Sequence, residues 1–191
     1  MAPDLKYITD LPQYMELFPD PDEPDMGRII GSISGWSVDE MLQEAVEDYG
    51  LDETYNYVSP GSEAAINSSL VKAYEDGEPW VGYNYEPNWI MGLYDMTPLL
   101  EKDPDGVVSR VASQDINIVA NVELSERAPE VVEFLEKYKT SSDITSEALT
   151  YIQEEEADAH GAAVKFLEEN EDIWTEWVPE DIAEKVKEGI Q

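Results

Sequence analysis

The sequence predicts an α/β fold: a lobe of parallel or mixed sheet flanked by helices, followed by a mainly helical C-terminal segment. Three observations carry that expectation. Between Gly27 and Tyr85 short apolar runs alternate with stretches of helical spacing, the rhythm of parallel strands joined by crossover helices. Breakers fall where the period changes, at Gly50, Pro60-Gly61 and Pro87. Beyond Val122 the apolar residues recur only at helical spacing. A chain of 191 residues that is 42% hydrophobic is long enough and apolar enough to bury a core.

In chain order, Phe18 to Asp25 is rich in Pro and Asp and reads as an exposed loop. Its carboxylates lack the spacing and glycine of a calcium-binding EF-hand loop. Gly27 to Ile33, with Ile29, Ile30 and Ile33 apolar, predicts a short buried strand. A helix then starts at Ser37, with Val38, Met41, Leu42, Ala45, Val46 and Tyr49 on one face and Gly50 at its end. Ser37 is placed to be its N-cap, with Glu40 completing a capping box. Tyr55 to Val58 predicts a second strand. Pro60-Gly61-Ser62 leads into a second helix carrying Ala65, Ile66, Leu70 and Ala73. Trp80 to Tyr85 predicts a third strand, ended by Pro87. The crossovers should be right-handed.

Gly106 to Asp115 is a connection of mixed polarity, and a boundary between two parts falls near Gly106 to Arg110, dividing the chain into 1–108 and 109–191. Ile116 to Val122 predicts one more strand. Helices follow to the end: Pro129 enters one at its first turn, with Val131, Val132, Phe134 and Leu135 apolar. Others carry Leu149 and Ile152, then Ala163, Val164 and Leu167, then Ile182 and Val186.

Charge excludes several functions. Asp and Glu number 44 against 11 Lys and Arg, a net charge of -33. Nucleic acid is not a partner for such a chain, because phosphate binding needs Lys and Arg to displace counterions. An anionic membrane surface repels it too. Self-repulsion of this size weakens a compact state at low salt, whereas at molar salt the Debye length falls to about 3 Å. The balance therefore predicts a halophilic protein. No apolar run approaches the ~20 residues of a membrane span, and no secretory signal pattern opens the sequence.

With no cysteine there is no thiolate nucleophile and no Cys-based metal site. The single histidine, His160, lies among small and acidic neighbours and reads as an exposed helical residue, so a Ser-His-Asp triad has no support. Neither a metal nor a cofactor is expected.

Two segments carry chemistry. Gly35-Trp36-Ser37-Val38 puts an aromatic residue on a strand-to-helix turn, at the strand ends where parallel α/β sheets bind ligands. The amides of Ser37 and Val38, at the helix start, are free to bind a carboxylate. Trp80 to Trp89 packs Tyr83 and Tyr85 between two tryptophans, with its tip at the end of another strand. A trimethylammonium head donates no hydrogen bond and spreads its charge over its methyls, so aromatic faces hold it, at ~2 kcal/mol or more each when desolvated. A betaine asks for aromatic walls around its cation and N–H donors for its acid, and both segments meet that request. A lone aromatic on a strand is more often core. Trp80 is read as core, and Trp174 and Trp177 as helix packing.

At these residues the chain resembles a known family. Ala2-Pro3-Asp4-Leu5-Lys6, Asp10-Leu11-Pro12, Gly35-Trp36, Tyr57-Val58-Ser59-Pro60-Gly61-Ser62, Tyr83-Asn84-Tyr85-Glu86-Pro87, Ile118-Val119-Ala120-Asn121, Ala128-Pro129-Glu130-Val131-Val132 and Trp174-Thr175-Glu176-Trp177-Val178 run in the order of the glycine betaine/proline-betaine/choline substrate-binding family of ABC importers, periplasmic binding proteins of the second structural type.

The resemblance implies two α/β lobes closing on an osmolyte without catalysis, outside the cytoplasm and beside an ABC permease complex. Trp36 matches one cage wall, and the amides of Ser37 and Val38 match the carboxylate donors. The family's Tyr-Trp-x-Pro motif gives the second wall, and here Tyr85 replaces its Trp, a weaker cation–π surface. Tyr83 and Trp89 are further candidates. The choice among betaine, proline betaine, choline and carnitine stays open.

The match begins just after the point where the family's chain enters its second lobe. Residues 1–108 then correspond to that lobe, the ligand-binding half, and 109–191 to a return segment of the first. A chain lacking the N-terminal lobe should bind betaine weakly or not at all. Its return segment should expose an apolar face, for the missing lobe or for self-association. Two rival readings are an acidic sensor or interaction module of the same fold and a carbohydrate-active enzyme using Glu86 beside aromatics. Carboxylates this abundant carry little information, and Glu154-Glu155-Glu156 reads as a solvated helix face.

Overall fold

The computed structural model describes residues 2–111 and 116–190. The chain divides into two compact units, Met1–Tyr85 with Asp95–Asp115, and Glu86–Tyr94 with Ile116–Gln191.

In the first unit β1 (Gly27–Ile30) and β2 (Tyr55–Val58) pair in parallel, Gly27 opposite Tyr55 and Ile30 opposite Val58. The crossover between them is α1 (Ser37–Asp48), and α2 (Glu63–Asp76) follows β2. Three expectations need correcting. β1 stops at Ile30 rather than Ile33, because the Ser32 amide turns to the Tyr57 hydroxyl (3.1 Å) instead of a strand neighbour. Trp80 to Tyr85 forms no regular strand. It touches the sheet at one parallel bridge, Ile30 with Gly82, through Ile30 N to Val81 O (3.1 Å) and Tyr83 N to Ile30 O (2.7 Å). Pro79 and Pro87 bracket the run and remove ladder donors on both sides. Finally, Trp36 is the N-cap of α1 and Ser37 its first helical residue, without the expected capping box. α2 does carry a side-chain cap, Ser62 Oγ accepting from the Ala65 amide at 3.2 Å.

The core of this unit gathers Leu5, Leu11, Phe18, Val46, Leu51 and Tyr55. The Tyr55 hydroxyl reaches the Leu11 carbonyl at 2.8 Å, which satisfies the one polar atom of a buried ring. The Pro- and Asp-rich loop is exposed from Pro21 to Asp25, but its base is not. Phe18 is core, and Asp20 is only 2% exposed. The Asp20 carboxylate accepts from Arg28 Nη2 (2.7 Å), Asn56 Nδ2 (3.0 Å) and the Asp22 amide (2.8 Å).

α3 (Trp89–Leu93) belongs to the second unit, and α4 (Val107–Val111) returns to the first, within the connection of mixed polarity. Residues 112–115 of that connection lie outside the described residues. Glu101 accepts from the amides of Val108 (3.3 Å) and Ser109 (2.6 Å) at the start of α4 and from the Tyr49 hydroxyl at the end of α1.

The second unit continues through α5 (Leu124–Arg127), α6 (Pro129–Lys137), α7 (Ser142–Glu154), α8 (Ala159–Glu169), α9 (Glu171–Trp174) and α10 (Glu180–Gly189). Pro129 opens α6, where its missing N–H costs nothing. α3 packs on α7: the Asn88 amide donates to Ser146 Oγ (3.3 Å) and Thr150 Oγ1 to the Trp89 carbonyl (3.0 Å). Trp174 is buried with its Nε1 on the Leu167 carbonyl (2.7 Å), and Trp177 sits among Phe134, Tyr138 and Phe166. Both are helix packing, as expected, and His160 is exposed on α8. Ile116 to Val122, expected as a strand, is in no sheet. Without a neighbour to share hydrogen bonds it leaves Ile116 89% and Val119 91% exposed. Among the described residues no helix is long and apolar enough to cross a membrane, and no group of His, Asp and Glu is arranged to hold a metal.

Candidate functional site

The site lies in the first unit, where the chain leaves β1 for α1. A turn at Gly35, whose φ of +89° suits glycine, delivers Trp36, itself extended, to the N-cap of the helix. The turn is held by Ser34 N on the Pro60 carbonyl (3.3 Å) and by Trp36 N on the Ile33 carbonyl (3.1 Å). Trp36 stays 40% exposed despite its apolar ring.

The single bridge at Ile30 then positions the second aromatic element. It anchors Tyr83 beside β1 and brings Tyr85 to Trp36, with ring centroids 6.0 Å apart and planes at 57°. Tyr83 stacks on Tyr85 at 6.0 Å and 27°. At such a separation Trp36 and Tyr85 touch, so no cation fits between them as in a sandwich. They form a corner instead, two π faces meeting at an angle. The Tyr85 hydroxyl bonds the Glu63 side chain; burial first, then that carboxylate, push its pKa up to about 12. Burial also raises that of Tyr83.

Ser37 and Val38 supply the first two amides of α1. Among the described residues neither has a protein acceptor, as befits the open start of a helix. One residue on, Asp39 is 3% exposed. Its Oδ1 accepts from the Tyr57 hydroxyl (2.9 Å) and Ser59 Oγ (2.9 Å), its Oδ2 from Gln43 Nε2 (3.0 Å) and again Ser59 Oγ (3.1 Å). Tyr57 in turn accepts the Ser32 amide. The network pins the first turn of α1 to the ends of both strands. Burial, with Asp39 adding to it, keeps the Tyr57 phenol well above its ordinary pKa.

Of the residues singled out in the sequence, Trp36, Ser37, Val38, Tyr83 and Tyr85 come together here. Trp89 belongs to the second unit, at the first position of α3. Sequence reasoning missed Asp39, Tyr57, Ser59 and Glu63. A usable signal existed for Asp39: it stands three residues after Trp36, between Val38 and Met41, where the predicted helix turns its apolar side inward.

A family model described as the substrate binding domain of an ABC-type glycine betaine transport system matches residues 1–169. The glycine betaine/carnitine transport binding protein GbuC of Listeria monocytogenes serotype 1/2a (strain 10403S) is 28% identical over 158 residues, 83% of this chain and 50% of that protein. Among solved structures, lactococcal OpuAC in its closed form with glycine betaine superposes with a TM-score of 0.67 at 20% identity, covering 92% of this chain and 63% of that one. An ABC-transporter choline binding protein in complex with choline gives 0.64 at 19% identity, covering 98% and 65%. These two share the fold. The chain spans about half the length of the curated relatives it matches.

Proposed function

The chain belongs to the family of substrate-binding domains of ABC-type glycine betaine transport systems, and from that premise we propose that it captures glycine betaine or a related quaternary ammonium osmolyte outside the cytoplasm for an ABC permease complex. The observation that carries this reading is the Trp36–Tyr85 corner beside the open amides of Ser37 and Val38. The trimethylammonium head rests against both rings, which attract it through their negative faces. Its acidic tail lies at the start of α1, where two N–H donors and the positive end of the helix favour an anion. Tyr83 buttresses Tyr85. No bond is made or broken, and the work of the site is capture and release.

On this reading residues 1–108 are the ligand-binding half and 109–191 a return segment of the other lobe. The exposed apolar side chains of Ile116, Val119 and Val122 support a polypeptide partner for that segment, a complementary lobe or a second copy. The test is chosen so that it detects weak binding as well as tight binding. In saturation-transfer NMR the N-methyl protons of glycine betaine and choline should receive magnetisation from the chain at millimolar ligand. Trp36→Ala should abolish the effect in a folded protein. N-methyl signals untouched by the wild-type chain would refute the proposal.

A further inference from the structure

The geometry points to Asp39 as the residue that makes this site prefer a permanent positive charge over a neutral ligand of the same shape. The inference rests on the aromatic corner being the ligand site, and deepens that reading by naming what sets its specificity.

Asp39 is a buried carboxylate whose hydrogen-bond partners, Tyr57, Ser59 and Gln43, are all neutral. Its hydrogen bonds come from a phenol, a hydroxyl and an amide, and each of these donates to it. No Lys, Arg or His pairs with it among the described residues. Hydrogen bonds of this kind make a buried carboxylate tolerable without cancelling its charge. A further favourable influence is the positive end of α1, to which Asp39 belongs. Elsewhere in the chain buried acid is handled differently: Asp20 has the Arg28 guanidinium at 2.7 Å.

The missing countercharge has an obvious place. The Asp39 amide donates to the carbonyl of Trp36 (3.0 Å), so the acid sits within one helical turn of the exposed indole. Tyr57, bonded to Asp39, pairs with Ile29 in the sheet, the next residue Ile30 accepts the Tyr83 amide (2.7 Å), and Tyr83 stacks on Tyr85. The acid and the aromatic corner are thus two ends of one contiguous cluster. A methylated cation against Trp36 gains the attraction of a fixed charge held in a low-dielectric setting. Aromatic faces alone distinguish a cation from its carbon isostere less sharply.

The 44 Asp and Glu of the chain offer a competing source of the same preference, a diffuse surface field. The two sources differ in their response to salt. Charges exposed on the surface are screened at molar salt, whereas a buried one is screened far less.

The test compares choline with its neutral isostere 3,3-dimethyl-1-butanol, and glycine betaine with 3,3-dimethylbutanoate, by titrating the full chain and its Asp39→Asn variant in saturation-transfer NMR. Asparagine keeps the shape: its carbonyl can accept from Tyr57 and Ser59, and Gln43 can turn its amide. The wild type should favour each N-methylated ligand over its isostere, and Asp39→Asn should cut that ratio about tenfold. An unchanged ratio in the folded variant would make Asp39 a structural pin only and overturn the inference. If the variant does not fold, the wild-type ratio between 0.15 and 2 M KCl decides. Survival within about twofold supports a buried charge, and collapse assigns the preference to the surface field. A wild-type chain that engages neither N-methylated ligand defeats the site reading itself, and this inference with it.

Discussion

The indole of Trp36 and the phenol of Tyr85, far apart in sequence, meet at 6.0 Å and 57° because a single backbone bridge, Ile30 with Gly82, brings their segments together. The corner therefore depends on one short piece of sheet and on the cap of one helix.

Trp36→Ala removes one of the two faces. With ~2 kcal/mol at stake, binding should weaken roughly 30-fold for any N-methylated ligand. Stability should change by less than about 1 kcal/mol, because the ring is 40% exposed. Ligand titration beside urea melts separates the two effects. A variant that loses stability as much as binding would mean that the indole is packing.

Asp20 should govern part of the acid limb. Burial alone would raise its pKa, but bonds from Asn56, the Asp22 amide and Arg28 outweigh that and bring it down to about 2. A depressed carboxylate adds stability above its unfolded value near 3.8, and that share is lost as pH falls through the folded value of about 2. Asp20→Asn should cost about 2 kcal/mol at pH 7. The gap to wild type should close between pH 4 and pH 2. Melts in molar KCl, which screens the net charge, measure it, and a gap independent of pH would contradict the assignment.

Much of the first unit was legible because local signals agreed with one another. β2 falls where Tyr55 to Val58 predicted it, and α2 begins after Pro60-Gly61-Ser62 with Ser62 as its cap. The misses share a cause: each was decided by a turn or a partner outside the residues that carried the signal. Ser37 has the chemistry of a cap, yet the turn at Gly35 delivers Trp36 to that position. Ile116 to Val122 has the composition of a strand, but a strand also needs a neighbour. Trp36 and Tyr85 were readable as aromatics at strand ends. Asp20 was not, because in a chain with 44 acids nothing local marks one that turns inward onto donors from other elements, and Asp39 had only its place on the inward side of the predicted helix to mark it.

Tyr49 should act at the opposite end of the pH scale. Its bond to Glu101, then burial, raise its pKa to about 12. The folded state keeps this phenol protonated while the unfolded chain releases the proton near 10. The stability it provides is therefore whole below pH 10 and lost between 10 and 12. Tyr49→Phe should cost about 2 kcal/mol at pH 8, the worth of one hydrogen bond to a charged acceptor. That deficit should vanish across the same window in denaturant melts, whereas a deficit persisting at pH 12 would show that the hydroxyl bond is not its source.

Gly31 tests whether the hydrogen-bonded network, rather than sheet pairing alone, shapes the site. A Cβ there would lie 2.1 Å from Tyr57 Cζ and 2.4 Å from its hydroxyl oxygen, far inside contact distance. The obstacle is a half-buried ring that accepts the Ser32 amide and donates to Asp39, so it cannot yield without breaking both bonds. Gly31→Ala should therefore cost about 2–3 kcal/mol by overpacking. It should also release the first turn of α1, weakening ligand binding beyond what the lost stability explains once the folded fraction is counted. Gly61→Ala is the control: its added methyl meets nothing within 4 Å, so its effect should stay within about 0.5 kcal/mol. Equal melts for the two variants would mean that Tyr57 moves aside freely, and that the tie between strand ends and helix start is not rigid.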